Sequence, residues 1–472
     1  MKVFSTNSLH LSGLLLLLVS ITFYLLAPKV YSYTYCSVLF LIYLFSSAWV
    51  IKLSTINKNF LNFHVLFLIS FFFVNFVYPV FLYPISVVYF PVYRLKFNQD
   101  IITKATALAL VGSSAFNFGV LFQIRKKETY GKLLNFNAHT ILLFLNAILI
   151  FLFMGLIAFG GSSFIQGHFK STANIPPSLT ILFQVTLSLA IICAFYLIKD
   201  QKNKISVAII KINKLVIFIY LLFSLLYIFA GDRGPFIQVT IIFLVALTMF
   251  IKPIKLKSFI ILALSGMLVL TFIGYARTQH SNDDSVVSFR KGIKYMNLNS
   301  FFDIAMDLIV TNRNLYTGYE YVDKYGINYG KGLSFQIFAP FPVLPSVYTE
   351  LVFNSKPDDL TSGRILTNYS KANYGLGTNL IIDLYMGFGV FGVIFFMFLL
   401  GYVVTIFQRK AHFSNNFNYI IAYMIMVSFA IYMPRSYITD PFRPIVWALL
   451  IFSVIKGLRL RLIQMFAKDI EN

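Results

Sequence analysis

Hydrophobic runs of membrane-span length alternate with short polar breaks along almost the whole chain. A helix crossing the hydrocarbon core needs about 20 mostly apolar residues. Twelve stretches fit: 9–27, 33–51, 61–83, 101–123, 139–160, 178–198, 210–230, 234–251, 258–276, 378–406, 417–434 and 443–457. The pattern predicts an all-α polytopic integral membrane protein with about 12 transmembrane helices. The run from Leu11 to Ala27 is long and no small-x-small cleavage site follows it, which predicts a retained first span.

One segment breaks the alternation. Residues 278–376 hold nine Lys/Arg and nine of the chain's 17 acids. A connection that long and that charged is expected to carry a function of its own. The expected organisation is helices 1–9 in 1–277, a large outer (periplasmic) loop in 278–376, and helices 10–12 with a cytoplasmic tail in 377–472.

Composition sharpens this reading. The chain is 58% hydrophobic and 12% charged, with mean hydropathy +0.77, against about 25% charged residues in soluble domains. The formal charge of +22 points to topology rather than to nucleic acid, because the basic residues sit in short loops. With the N-terminus inside, cytoplasmic segments hold 21 Lys/Arg and the short outer loops eight. The asymmetry predicts both termini in the cytoplasm. The long loop has no net charge, as expected of a translocated loop. Cys36 and Cys193 fall in apolar runs and read as packed thiols. No phosphate-binding glycine loop and no H-E-x-x-H occurs, so no cofactor and no metal is expected.

Several residues stand out for chemistry. Gly231-Asp232-Arg233-Gly234-Pro235 is a turn between two spans. Arg233 would sit beside freed backbone N–H groups at a helix start, an anion-binding arrangement. The alternative is a hairpin turn holding an Asp232–Arg233 pair. Arg364 and Gly375 are separated by ten residues just before a span. Asp383 falls one to two turns inside that span, with Asn379 four residues earlier on the same face. A carboxylate there is costly unless it faces a polar cavity or pairs with a base such as Arg277. Arg435, Asp440 and Arg443 share the outer loop PRSYITDPFRP. With Arg233, Arg277 and Arg364 they form a candidate single basic site, the alternative being charges that anchor span ends. His280 is the one histidine of the long loop and a candidate base, beside Asp283, Asp284, Glu350, Asp358 and Asp359. Asp303 and Asp307, spaced i, i+4, predict a solvated helix face. Phe338–Pro345 (FAPFPVLP) is a stiff aromatic-proline stretch, suited to stacking a sugar or to lying in the membrane interface.

The span layout, the large loop, Arg364-x10-Gly375, the GDRGP turn and above all GLGTNLIIDLYMGFGVFGVIFFMFLLG (375–401) resemble the O-antigen polymerases of the Wzy type. The resemblance implies a GT-C-like multi-span, metal-independent glycosyltransferase of the bacterial inner membrane. It implies as substrate an oligosaccharide repeat unit on undecaprenyl diphosphate, polymerised at the outer face. A chain-length regulator and the flippase of the same pathway are implied as partners. Arg233, Arg364, Asp383 and His280 become candidate catalytic residues, and Arg277, Gly375, Asn379, Arg435 and Arg443 candidate substrate contacts. One departure is that the outer loops carry a single arginine-x10-glycine pattern where the family is described with two, leaving Arg233 as the substitute. An O-antigen ligase and a lipid-linked oligosaccharide flippase are the alternatives. The 99-residue outer loop with its nine acids and the lack of internal repeats weigh against the flippase.

Overall fold

The computed structural model describes residues 6–124, 138–165, 171–201, 205–230, 232–278, 301–414 and 416–471. They form helices and turns with no strand. The first ten helices are α1 (Thr6–Leu25), α2 (Tyr33–Ser54), α3 (Phe63–Asn75), α4 (Ile102–Gln123), α5 (Ala138–Ile165), α6 (Pro177–Leu197), α7 (Ile205–Lys211), α8 (Lys214–Phe229), α9 (Arg233–Phe250) and α10 (Leu256–Thr278). Among the described residues of the polar segment there are five short helices: α11 (Met306–Ile309), α12 (Asn312–Tyr325), α13 (Lys331–Ser334), α14 (Leu344–Phe353) and α15 (Ser362–Tyr369). The last three are α16 (Leu380–Phe413), α17 (Phe417–Phe429) and α18 (Phe442–Glu471).

A helix lies in each of the twelve apolar stretches. Among the described residues seven helices are long and apolar enough to cross a membrane, or eight if α7 and α8, bent by 95°, count as one span. The bend falls where Asn213 caps α8, its side chain accepting from Val216 N at 3.1 Å. The stretch 61–83 is not one straight rod: α3 ends at Asn75 and a π-helical turn follows at Tyr78–Leu82, around Pro79.

The most extensive helix pair is α4 with α16, and α1 and α2 also pack on α4. Small residues permit that approach, as in membrane helix pairs generally. A Cβ on Gly119 would lie 2.1 Å from the Phe398 carbonyl oxygen, and one on Gly401 2.2 Å from that of Phe116. A second group joins α5, α6, α8, α9 and α18. Helix α17 touches both groups, packing on α16, α9 and α18.

Residues 301–376 of the polar segment form a packed cap on this bundle. Arg313 of α12 is wholly buried. Its Nη2 donates to the Lys96 carbonyl at 3.1 Å, its Nη1 to Ser370 Oγ at 3.1 Å and its Nε to the Leu95 carbonyl at 3.4 Å. Asn312 donates to the Asn75 carbonyl at 3.3 Å and Asn314 to that of Leu376 at 2.8 Å. The cap also grips α16 at a break in that helix, where Phe388 and Gly389 leave helical geometry and Gly389 has φ +64. There the N–H groups of Asn328 and Gly330 donate to the carbonyls of Met386 and Gly387, at 2.8 and 3.0 Å.

Candidate functional site

Two cavities flank α9, one polar and one apolar. The polar cavity, about 560 Å³, lies between α6, α9, α17 and the cap. Helices α6, α9 and α17 contribute Gln184, Ser188, Gln238 and Ser428, and amides such as the two glutamines are costly inside an apolar bundle unless they face a polar cavity. The cap contributes Gln336, Asp358 and Thr361, the α17–α18 connection Tyr437, Thr439 and Asp440, and the first turn of α18 Arg443. Burial pushes the Asp440 carboxyl up to about 6, opposed by the Tyr437 N–H that donates to its Oδ2 at 3.3 Å and by the charge of Arg443. Arg443 Nε donates to the Ala339 carbonyl, so one edge of this guanidinium holds the cap.

Asp383 stands behind the polar cavity wall. Its Oδ1 accepts from Ser362 Oγ at 2.6 Å, and Ser362 Oγ also lies 2.6 Å from Thr378 Oγ1. Its Oδ2 is buried without a hydrogen-bond partner among the described residues. Tyr437 stands near both carboxylates and is bonded, through its backbone N–H, to that of Asp440. Its hydroxyl accepts from Gly363 N at 3.2 Å, and burial, then the nearby Asp383, hold its phenol above the usual value.

The apolar cavity, about 360 Å³, lies between α3, α9, α10 and α11. Phe73, Phe236, Ile241, Leu244 and Met267 are typical of its wall, and Arg233, Asp303, Asp307 and Arg435 form its polar end. Arg233 pairs with the Asp307 carboxylate, and Arg435 Nη1 donates to the Asp307 backbone carbonyl. Asp307 therefore fixes both arginines at the end of an oily slot.

The expected single basic site is divided. Arg233 and Arg435 meet at the apolar cavity, and Asp440 and Arg443 at the polar one. Arg364 joins neither: its side chain is exposed on α15. Gly375 is exposed with open space around it and no positive φ, so its backbone does not require glycine; Gly377, at φ +69, does. Asn379 is wholly buried. Its Oδ1 caps α16, accepting from Ile381 N at 2.9 Å, and its Nδ2 donates to Asn75 Oδ1 at 3.0 Å. Both ends of that amide are thus committed to protein. Among the described residues the hydrogen-bond partner of Asp383 is Ser362, and the side chain of Arg277, the base named for it, lies outside them. Asp303 is buried and Asp307 bound to Arg233, so these two acids do not form a solvated face. Glu350 and Asp359 are exposed. His280, Asp283 and Asp284 lie outside the described residues, as does the Arg277 side chain. Cys36 and Cys193 are buried free thiols.

Sequence reasoning missed Gln184, Gln238 and Tyr437. The signal was present for the glutamines, each an amide inside a predicted span.

A helical bundle with a packed polar cap and charged groups beside its apolar helices defines a multi-pass membrane protein. The chain belongs to the O-antigen polysaccharide polymerase Wzy family, whose model matches residues 10–464. The family makes surface polysaccharide in the membrane. No curated protein and no solved structure matches the chain.

Proposed function

We propose that the protein polymerises oligosaccharide repeat units carried on undecaprenyl diphosphate, at the outer face of the bacterial inner membrane, with twelve crossings and both termini cytoplasmic. The observation that carries this reading is the pair of cavities on either side of α9. A lipid-linked sugar is apolar at one end, anionic at the junction and polar at the other. The apolar slot suits the isoprene units next to the diphosphate, Arg233 and Arg435 suit the diphosphate, and the polar cavity suits sugars. The GT-C likeness and the division of the chain at 277 and 376 stand as parts of the same proposal.

In the reaction, an acceptor sugar hydroxyl attacks the anomeric carbon of the growing chain. The carbon–oxygen bond to the diphosphate breaks, and undecaprenyl diphosphate leaves with the bonding pair. Arginines placed where that negative charge develops stabilise it without a metal. The hydroxyl proton goes to a carboxylate, and Asp440 is our choice. It lines the polar cavity, and its raised pKa lies near working pH. Asp383 acts behind it, orienting Ser362.

The test is deletion of the gene in its host, with the surface glycan resolved by gel and the strain complemented by wild type or by Arg233→Ala with Arg435→Ala. Core capped with a single repeat unit, uncorrected by the double variant, is the expected result. Core with no repeat unit would overturn the proposal in favour of a ligase or a flippase.

A further inference from the structure

We propose that residues 337–352 of the cap insert into the bilayer leaflet they face, forming the wall that separates the polar cavity from lipid. This segment presents apolar side chains outward, and among the described residues nothing covers them. Ile337 is 60% exposed, Val343 67% and Leu351 81%. Along α14, the exposed Leu344, Val347 and Leu351 follow helical spacing, while Pro345 and Thr349 on the other side are buried. The helix is amphipathic with its oily face turned away from the protein.

The occupant follows from the depth at which the segment is tethered. Trp447 Nε1 donates to the Pro340 carbonyl at 2.7 Å, and Arg443 Nε to that of Ala339. Both side chains belong to the first turns of α18, within about 8 Å of its start at 1.5 Å per residue. The outward apolar positions of α18 begin at Phe442 and continue through Leu450 and Val454. Residues 339–340 therefore sit level with the start of an apolar helix face, not above it. Exposed Lys331, 5.9 Å from the Phe353 ring, stands at the end of α14, where an ammonium can reach lipid phosphate. An apolar face at this level beside cationic flanks fits acyl chains and headgroups. The inner side of the same stretch lines the polar cavity through Ala339, Pro342, Pro345 and Ser346. One layer of backbone thus divides sugar-sized polar space from lipid.

The experiment is nitroxide scanning of the full-length protein in phosphatidylcholine–phosphatidylglycerol vesicles. Single cysteines replace Leu344, Val347, Glu350, Leu351 and Lys356 in a Cys36→Ala, Cys193→Ala background that elutes as wild type in detergent. Collision with oxygen, which partitions into lipid, is compared with collision with an aqueous nickel chelate. Labels at Leu344, Val347 and Leu351 are expected to favour oxygen several-fold over the label at Lys356, with Glu350 between them. Equal access to the nickel chelate at all five positions would overturn the proposal and mark the face as a docking surface for a soluble protein. Restriction of both reagents at Leu351 would also overturn it, indicating a second copy of the chain. The readout needs no catalysis, so it stands or falls separately from the polymerase reading.

Discussion

Arg313 and Arg364 lie in the same polar segment and have opposite fates. Arg313 is wholly buried, and burial lowers its pKa from the usual arginine value. Its three hydrogen bonds join α12 to residues 95–96 and to Ser370. Arg313→Met is expected to lower stability by on the order of 3 kcal/mol, seen as early thermal aggregation in detergent. Arg364→Ala should shift that transition by no more than about 0.5 kcal/mol. Glycines divide the same way. Gly377→Ala should destabilise by about 1 kcal/mol or more through its left-handed backbone, and Gly375→Ala should fold as wild type. Spacing in a sequence counts residues and is blind to which of them end up in contact with water. That is why Arg364-x10-Gly375 stood out and Arg313 did not. Asp440 supplies a test by pH. Its carboxyl is held up at about 6, so it is protonated, and inactive as a base, below that. Polymerisation by purified protein in vesicles should rise with pH through about 6 and then level off. The folded state holds this proton more tightly than the unfolded chain does. Its contribution to stability is therefore present below about pH 4 and lost as pH rises toward 6. Asp440→Asn should remove the pH step and reduce the rate by about 10²–10⁴-fold.

At the scale of elements, the positions of the apolar helices were legible because each is set by its own run of side chains. The interruptions were less so. The break in α16 at Phe388–Gly389 lies in a run rich in glycine and phenylalanine, and its cause is tertiary. The carbonyls of Met386 and Gly387 are taken by Asn328 and Gly330 of the cap. The apolar residues 390–407, which precede Gln408, Arg409 and Lys410, span about 27 Å at 1.5 Å per residue, just short of the roughly 30 Å hydrocarbon core, so the break falls near one end of a crossing's length. The seam between α4 and α16 makes a sharper prediction. Gly119→Leu must push the helices apart or distort one, because the obstacle is backbone. A loss of about 1–3 kcal/mol or more is expected, with reduced yield of folded protein by size-exclusion chromatography.

For the molecule as a whole, two cavities on opposite sides of α9 imply two separable defects. Changes at Arg233 and Arg435, which hold the diphosphate and stabilise its leaving charge, should raise the KM for the lipid-linked donor as well as lower kcat, and changes at Asp440 should lower kcat with KM little altered. Steady-state kinetics with purified lipid-linked repeat units would show the split. An effect of both classes on kcat alone would contradict the assignment of the apolar slot to the lipid. The α4–α16 seam also bears on how the molecule is made. Ser114 and Asn117 of α4 bond to Ser20 of α1 and Ser46 of α2, partners already synthesised when α4 emerges. Gly112 and Gly119 instead await Ile381 and Phe398. At about 5–20 residues per second, the roughly 270 residues from Gly112 to Ile381 take on the order of tens of seconds to translate. For that interval a helix whose best apolar window is 89% buried in the finished protein stands beside lipid with its notch unfilled. Chains stalled before α16 should therefore be the ones that membrane proteases clear first.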